Sequence, residues 1–310
     1  MNKKIATYFS LAVIILFIAY IVYDTTTGKQ VNKLLVNAKE SAEAHKPAWT
    51  IAETLTIPTG KLVAVAIGDN NTIIVGGEDF LASYNLADLS LRWNITAEKS
   101  IIALSVFGDT IYAATEETVS LFNLDGNFIE EWGPYDDGSF ITSITSNNNY
   151  IAFADAGNKM VFVLNKDGSL KYFFGQPRNQ FIVPSPYFDV AFFGDDTLAV
   201  ANPGKRKIEF RTISGEIISS FGEEGIELKD FCGCCNPAHF AFLPDGKIVT
   251  AEKGINRIKV LDKKGELIEL VEQSALFKPS FPLDIAISKE SKIYAANGAD
   301  SILYIFIRNL

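Results

Sequence analysis

The sequence predicts an all-β chain folded as a six-bladed β-propeller behind an N-terminal transmembrane helix. Three observations carry this expectation. From Trp49 onward, short runs rich in Val, Ile, Phe and Tyr alternate with Gly-, Asn- and Asp-bearing turns, and helical periodicity is absent over roughly 250 residues. These runs recur in sets of four. The last set stops after three strands, while one spare strand stands near the start, so the two ends of the chain complete each other.

Taken in order, Lys3 and Lys4 precede an uncharged apolar run over residues 5–23. At about 1.5 Å per residue its length approaches the roughly 30 Å of a bilayer core. The basic flank predicts a single-pass anchor with its tip, within residues 1–27, on the cytoplasmic side and the bulk of the chain outside. A cleaved signal peptide is the rival reading. No A-x-A-like site follows at Asp24, Thr25, Thr26, Thr27 and Gly28, which favours the anchor. Either way the remainder is expected to be extracytoplasmic, periplasmic or extracellular, where disulfides are permitted. Residues 28–47 are polar and helix-tolerant, with a short stripe of Val31, Leu34, Leu35 and Ala38, and read as a juxtamembrane linker or helix carrying a solvated His45.

The propeller is expected over residues 48–310. Residues 50–57 form the spare strand. Four-strand sets follow at 64–96, 103–132, 143–175, 191–222 and 241–271, and the three-strand set lies at 283–310. A four-stranded repeat of about 40–50 residues is a propeller blade. The spare strand supplies the missing outer strand of the sixth blade and closes the ring, which removes a free sheet edge. The net charge of −9, spread along the chain, argues against nucleic acid as a partner.

Superposing the sets brings distant residues together. In the first strands one column reads Ala64, Ala103, Ser143, Asp189, His239 and Asp284. Side chains two apart share a strand face, and this column is expected to line the central channel. The ends of the second strands read Gly77, Thr115, Asp155, Asn202, Glu252 and Asn297 and return to the same side of the disc. One polar mouth is expected, ringed by Asp189, His239 and Asp284, with Asp155, Asn202, Glu252 and Asn297 around them. The plainer alternative is that such residues only hold water or tie blades together; Glu252 and Asn202 in particular can cap turns locally.

All three cysteines fall within Phe231-Cys232-Gly233-Cys234-Cys235-Asn236-Pro237, the last of them four residues ahead of His239. Three chemistries are open to them. Thiolates and imidazole suit zinc or copper, so Cys232, Cys234, Cys235 and His239 form one candidate metal set, and His239, Asp189 and Asp284 another. The C-x-x-C of Cys232 and Cys235 suits reversible dithiol chemistry, although a loop lacks the helix N-terminus that lowers a thiol pKa. Any two of the three, including Cys234 with Cys235, can instead form a disulfide that stiffens the loop. No zincin, nucleophile-elbow, Walker or dinucleotide motif is present.

The blades resemble NHL repeats. The matching elements are Pro237 and Ala241 at the start of a first strand, Pro244-Asp245-Gly246 at the first turn, Asn256-Arg257-Ile258 and Lys264-Gly265. The resemblance spans about residues 50–310 and is strongest over 187–271. It implies a family of ligand-binding scaffolds, protein-interaction modules and a few lyases or hydrolases, so it specifies a fold more than an activity. The expected function is a membrane-anchored module that binds a small ligand or a protein partner through the polar mouth. One alternative is a metal-dependent lyase or hydrolase in which His239, Asp189 and Asp284 hold the ion and Glu252 is the general base. The other is a thiol-redox or electron-transfer accessory.

Overall fold

The computed structural model describes residues 13–20, 23, 47–68, 70–175, 180–273, 276–277 and 282–309. Six antiparallel four-stranded sheets form six blades. Within five of them the strands follow chain order from the inside outward, as short hairpin turns dictate. In the sixth, Leu283–Ile287, Ile293–Asn297 and Ile302–Arg308 are joined on the outside by Trp49–Thr56. That strand pairs antiparallel with the last one, Trp49 opposite Arg308 and Thr56 opposite Ile302, so the two ends of the propeller meet in one sheet.

Burial follows position in the blade. Second strands such as Thr72–Gly77 are buried at every residue, because blades cover both faces. Fourth strands such as Phe128–Trp132 expose all residues but the last. The apolar core is accordingly divided into six clusters, one at each blade interface. Glycine at the turn before the fourth strand allows blades to approach closely. A Cβ on Gly168 would lie 2.6 Å from the Trp132 ring of the preceding blade, and one on Gly215 would lie 2.4 Å from Phe174.

About half of the expected anchor over residues 5–23 lies outside the described residues. Residues 13–20 are helical, and Val13, Ile14, Ile15, Leu16, Phe17 and Ile18 are exposed. Among the described residues no helix is long and apolar enough to cross a membrane. The expected linker over residues 28–47 likewise falls outside them, apart from Pro47.

Candidate functional site

The first strands line a central cavity of about 390 Å³. Ser143, Asp189, His239 and Asp284 all face it, from strands Ile141–Ser146, Val190–Phe192, His239–Phe242 and Leu283–Ile287 or the residue just before them. His239 Nδ1 lies 3.6 Å from Asp284 Oδ1 and 3.9 Å from Asp189 Oδ2, so the imidazole stands between the two carboxylates.

Each of these carboxylates also links its blade to the next. Asp189 accepts the Phe240 N–H at 2.7 Å, and Asp284 accepts the Val65 N–H at 2.8 Å. Their second oxygens accept the N–H of the following residue, Val190 and Ile285. Ser143 makes the equivalent link without charge: its hydroxyl accepts from Val190 N–H at 3.1 Å and donates to Val190 O at 3.2 Å. Ala64 and Ala103, at the same register in blades one and two, have no side-chain polar atom with which to do so.

These hydrogen bonds do not compensate for the removal of water. Burial raises the Asp189 carboxyl above its ordinary value, despite His239 and the surrounding donors. Burial likewise pushes Asp284 up to about 6, against the pull of His239 and the Val65 N–H. Two carboxylates thus face one cavity, both short of positive charge. On the disc face a vestibule of about 190 Å³ reaches His239 and Asp284 past Tyr187, Pro186 and Pro282. The Tyr187 ring stands edge-on to His239, 6.4 Å between centroids, and Lys253 Nζ lies 4.4 Å from the Tyr187 centroid.

Asp155, Asn202, Glu252 and Asn297 stand at the ends of second strands as expected, but none lines the cavity. All four are buried and hold backbone or neighbouring side chains. Asp155 accepts from Ser139 Oγ, Phe140 N–H and both nitrogens of Asn158. Asn202 accepts from Ile182 N–H and donates to Gln180 O and Glu209. Asn297 accepts from Ala299 N–H. At this depth a blade is closed on itself, and a side chain at the second-strand end meets its own linker rather than the channel.

Glu252 corrects the expectation most sharply. Its carboxylate contacts Arg257 at 2.8 and 3.0 Å and Lys259 at 2.8 Å. Burial acts to raise its pKa, but the two cations outweigh it and hold the carboxyl below the ordinary glutamate value. It is therefore an ion-pair partner sealed from the channel, with no free oxygen for a general base. Arg257 also donates to Asp230 O, while Lys259 donates to the carbonyls of Leu228, Lys229 and Asp230. Burial pushes Lys259 down to about 8. The repeat pattern names Arg257 only as a blade element and does not name Lys259. Their signal is a pair of charges two apart on a third strand, Arg257–Leu261, whose residues are all buried. Glu209 and Arg211, paired inside blade four, carry the same signal.

The cysteines sit in the linker entering blade five and do not line the cavity. All three are free thiols; Cys232 and Cys235 are buried and Cys234 is exposed. The nearest sulfurs are those of Cys234 and Cys235, 3.0 Å apart. Among the described residues no group of three or more His, Cys, Asp or Glu side chains is arranged to hold a metal ion. The expected thiol-based zinc or copper set is not assembled, since the thiols stand apart from the channel; His239, Asp189 and Asp284 do meet at the cavity, where each carboxylate oxygen also accepts a backbone N–H.

No protein-family model and no curated protein matches the sequence. Solved structures do resemble the fold. Streptogramin B lyase superposes with a TM-score of 0.61 over 84% of this chain and 98% of its own, at 13% identity. The WD40 β-propeller domain of Doa1 gives 0.58 over 80% and 79%, at 14% identity. A protein of unknown function from Bacteroides caccae gives 0.53 over 72% and 81%, also at 14%. At such identities the likeness identifies the chain as a β-propeller and says nothing of its activity. The NHL resemblance has no family model behind it.

Proposed function

We propose that the protein is a binding module whose central channel recognises a cationic group, either a small organic ammonium or guanidinium compound or a Lys or Arg side chain of a protein partner. The observation that carries this reading is a cavity of about 390 Å³ into which Asp189 and Asp284 face with carboxyls raised by desolvation and a single imidazole between them. The volume lies in the range of small-molecule sites. A cation seated there replaces the lost solvation of both carboxylates, and Ser143 and Thr145 add hydroxyl partners. Repeat elements around Pro237 and Pro244 support an NHL-type description of the blades, and the apolar run at residues 5–23 behind Lys3 and Lys4 supports a single-pass anchor with the propeller on the extracytoplasmic side.

The test is isothermal titration of the full-length protein with n-butylammonium and n-butylguanidinium, with n-butyrate as the control at equal ionic strength. Saturable binding of the cations and none of butyrate is expected. Equal heats from all three would refute cation recognition.

A further inference from the structure

The linker into blade five carries a second chemistry that the channel does not use. We infer that Cys234 and Cys235 form a reversible vicinal dithiol–disulfide couple, reacting with low-molecular-weight disulfides at the rim of the propeller. The pairing differs from the Cys232–Cys235 couple that the C-x-x-C spacing suggests.

Geometry makes the selection. Cys234 and Cys235 sulfurs are 3.0 Å apart, about 1 Å beyond a covalent S–S bond. Cys234 is exposed and Cys235 is buried behind it, which is the arrangement of an attacking and a resolving thiol. Cys232 is held out of the exchange. Its thiol is buried, and burial followed by the Glu252 charge pushes its pKa up. Its carbonyl is fixed by Asn236 Nδ2 at 2.6 Å. Asn236 also donates to Lys253 O at 2.9 Å and accepts from Lys253 N–H at 2.7 Å, fastening the far side of the loop to blade five. Between the fixed Cys232 and the pair lies Gly233, at φ +82°, where an added Cβ would have only Asn236 Nδ2 at 4.0 Å. The Gly233 carbonyl accepts from Arg206 Nε at 3.0 Å, so the turn that closes the sulfurs falls just past that carbonyl, at the exposed Cys234 and beside the open side-chain space at Gly233.

Cys234 loses its proton and attacks one sulfur of the small disulfide, expelling one thiolate and leaving a mixed disulfide. Cys235, deprotonated in turn, attacks the Cys234 sulfur and expels the second thiolate. One S–S bond is broken and one formed, the two cysteines lose two electrons, the small disulfide gains them, and both protons end on the released thiols. The hydrogen bond to Cys235, then burial, pushes the Cys234 thiol above its ordinary pKa, so exchange accelerates as pH rises through the alkaline range.

The test is thiol counting by alkylation and intact mass on the full-length protein, before and after incubation with oxidised glutathione at pH 8.5. The wild type is expected to fall from three alkylatable thiols to one as a monomer, and dithiothreitol restores all three. Cys232→Ser is expected to fall from two to none, whereas Cys234→Ser and Cys235→Ser close no internal bond. Fragmentation of the oxidised wild-type peptide locates the bond without relying on any variant. Retention of three thiols, a bond to Cys232, or an intermolecular disulfide would each overturn the inference.

Discussion

Two clusters of buried charge stand on the same side of blade five and differ in what surrounds them. Glu252, Arg257 and Lys259 are sealed, with side chains at most 1% exposed, and carbonyls of the linker surround the excess cation. Asp189, His239 and Asp284 are 9%, 15% and 21% exposed and open onto a cavity. In the first cluster cations hold the carboxyl below its ordinary value; in the second, desolvation raises both carboxyls. The first is a compensated device that fixes the linker. The second retains unmet demand for positive charge. Linking blades does not require that demand, because Ser143 performs the same task with a hydroxyl and blades one and two carry alanine at that register.

The contrast is broken most severely at Glu252. Glu252→Ala leaves Arg257 and Lys259 buried without a counter-ion and is expected to cost about 3–5 kcal/mol. Chemical denaturation measures it, and a loss below about 1 kcal/mol would mean that water enters the cluster.

Asp284→Asn acts in the opposite direction. A carboxyl raised in the folded state to about 6 makes stability greatest below its unfolded value, near pH 4, and that stability is lost as pH rises through 6. Removing the charge is expected to reduce the slope between pH 4 and 7, with Asp189 keeping the remainder, and to change stability at pH 7 by no more than about +1 kcal/mol, because the amide nitrogen leaves one of the two backbone N–H groups without an acceptor. Thermal unfolding across that window checks both. An unchanged slope would place the carboxyl in water.

Ser143→Ala removes a blade link and also a hydroxyl that lowers the Asp189 carboxyl, and is expected to cost about 1 kcal/mol, with the loss growing as pH rises from 4 to 7. A loss indifferent to pH would show that the Ser143 hydroxyl does not reach the Asp189 carboxylate.

Much of this architecture is legible in the sequence because the repeat superposes. The six sets, the spare strand at 50–57 and the column Ser143, Asp189, His239 and Asp284 all follow from turn spacing and period-two alternation. What spacing does not convey is depth. Asp155, Asn202, Glu252 and Asn297 share a disc face with the channel residues, yet lie between blades, where side chains meet the linkers. Nor does spacing convey partners. Arg257 and Lys259 alternate with apolar residues, as on a solvated strand, and only burial of that strand on both faces turns them into counter-ions of Glu252. The cysteines teach the same lesson, since sequence spacing points to Cys232 and Cys235 while the sulfurs in reach are those of Cys234 and Cys235.

Channel recognition is tested most directly by the pH dependence of n-butylguanidinium affinity in the wild type and in Asp284→Asn. With an Asp284 carboxyl titrating at about 6, the ionised, binding-competent fraction rises about tenfold between pH 5 and 7.5. Wild-type affinity is predicted to rise by at least that factor, and the affinity of Asp284→Asn to be weaker and to rise less steeply, through Asp189 alone. Equal affinity in the two proteins, or a wild-type affinity indifferent to pH, would contradict recognition of a cation by the channel carboxylates.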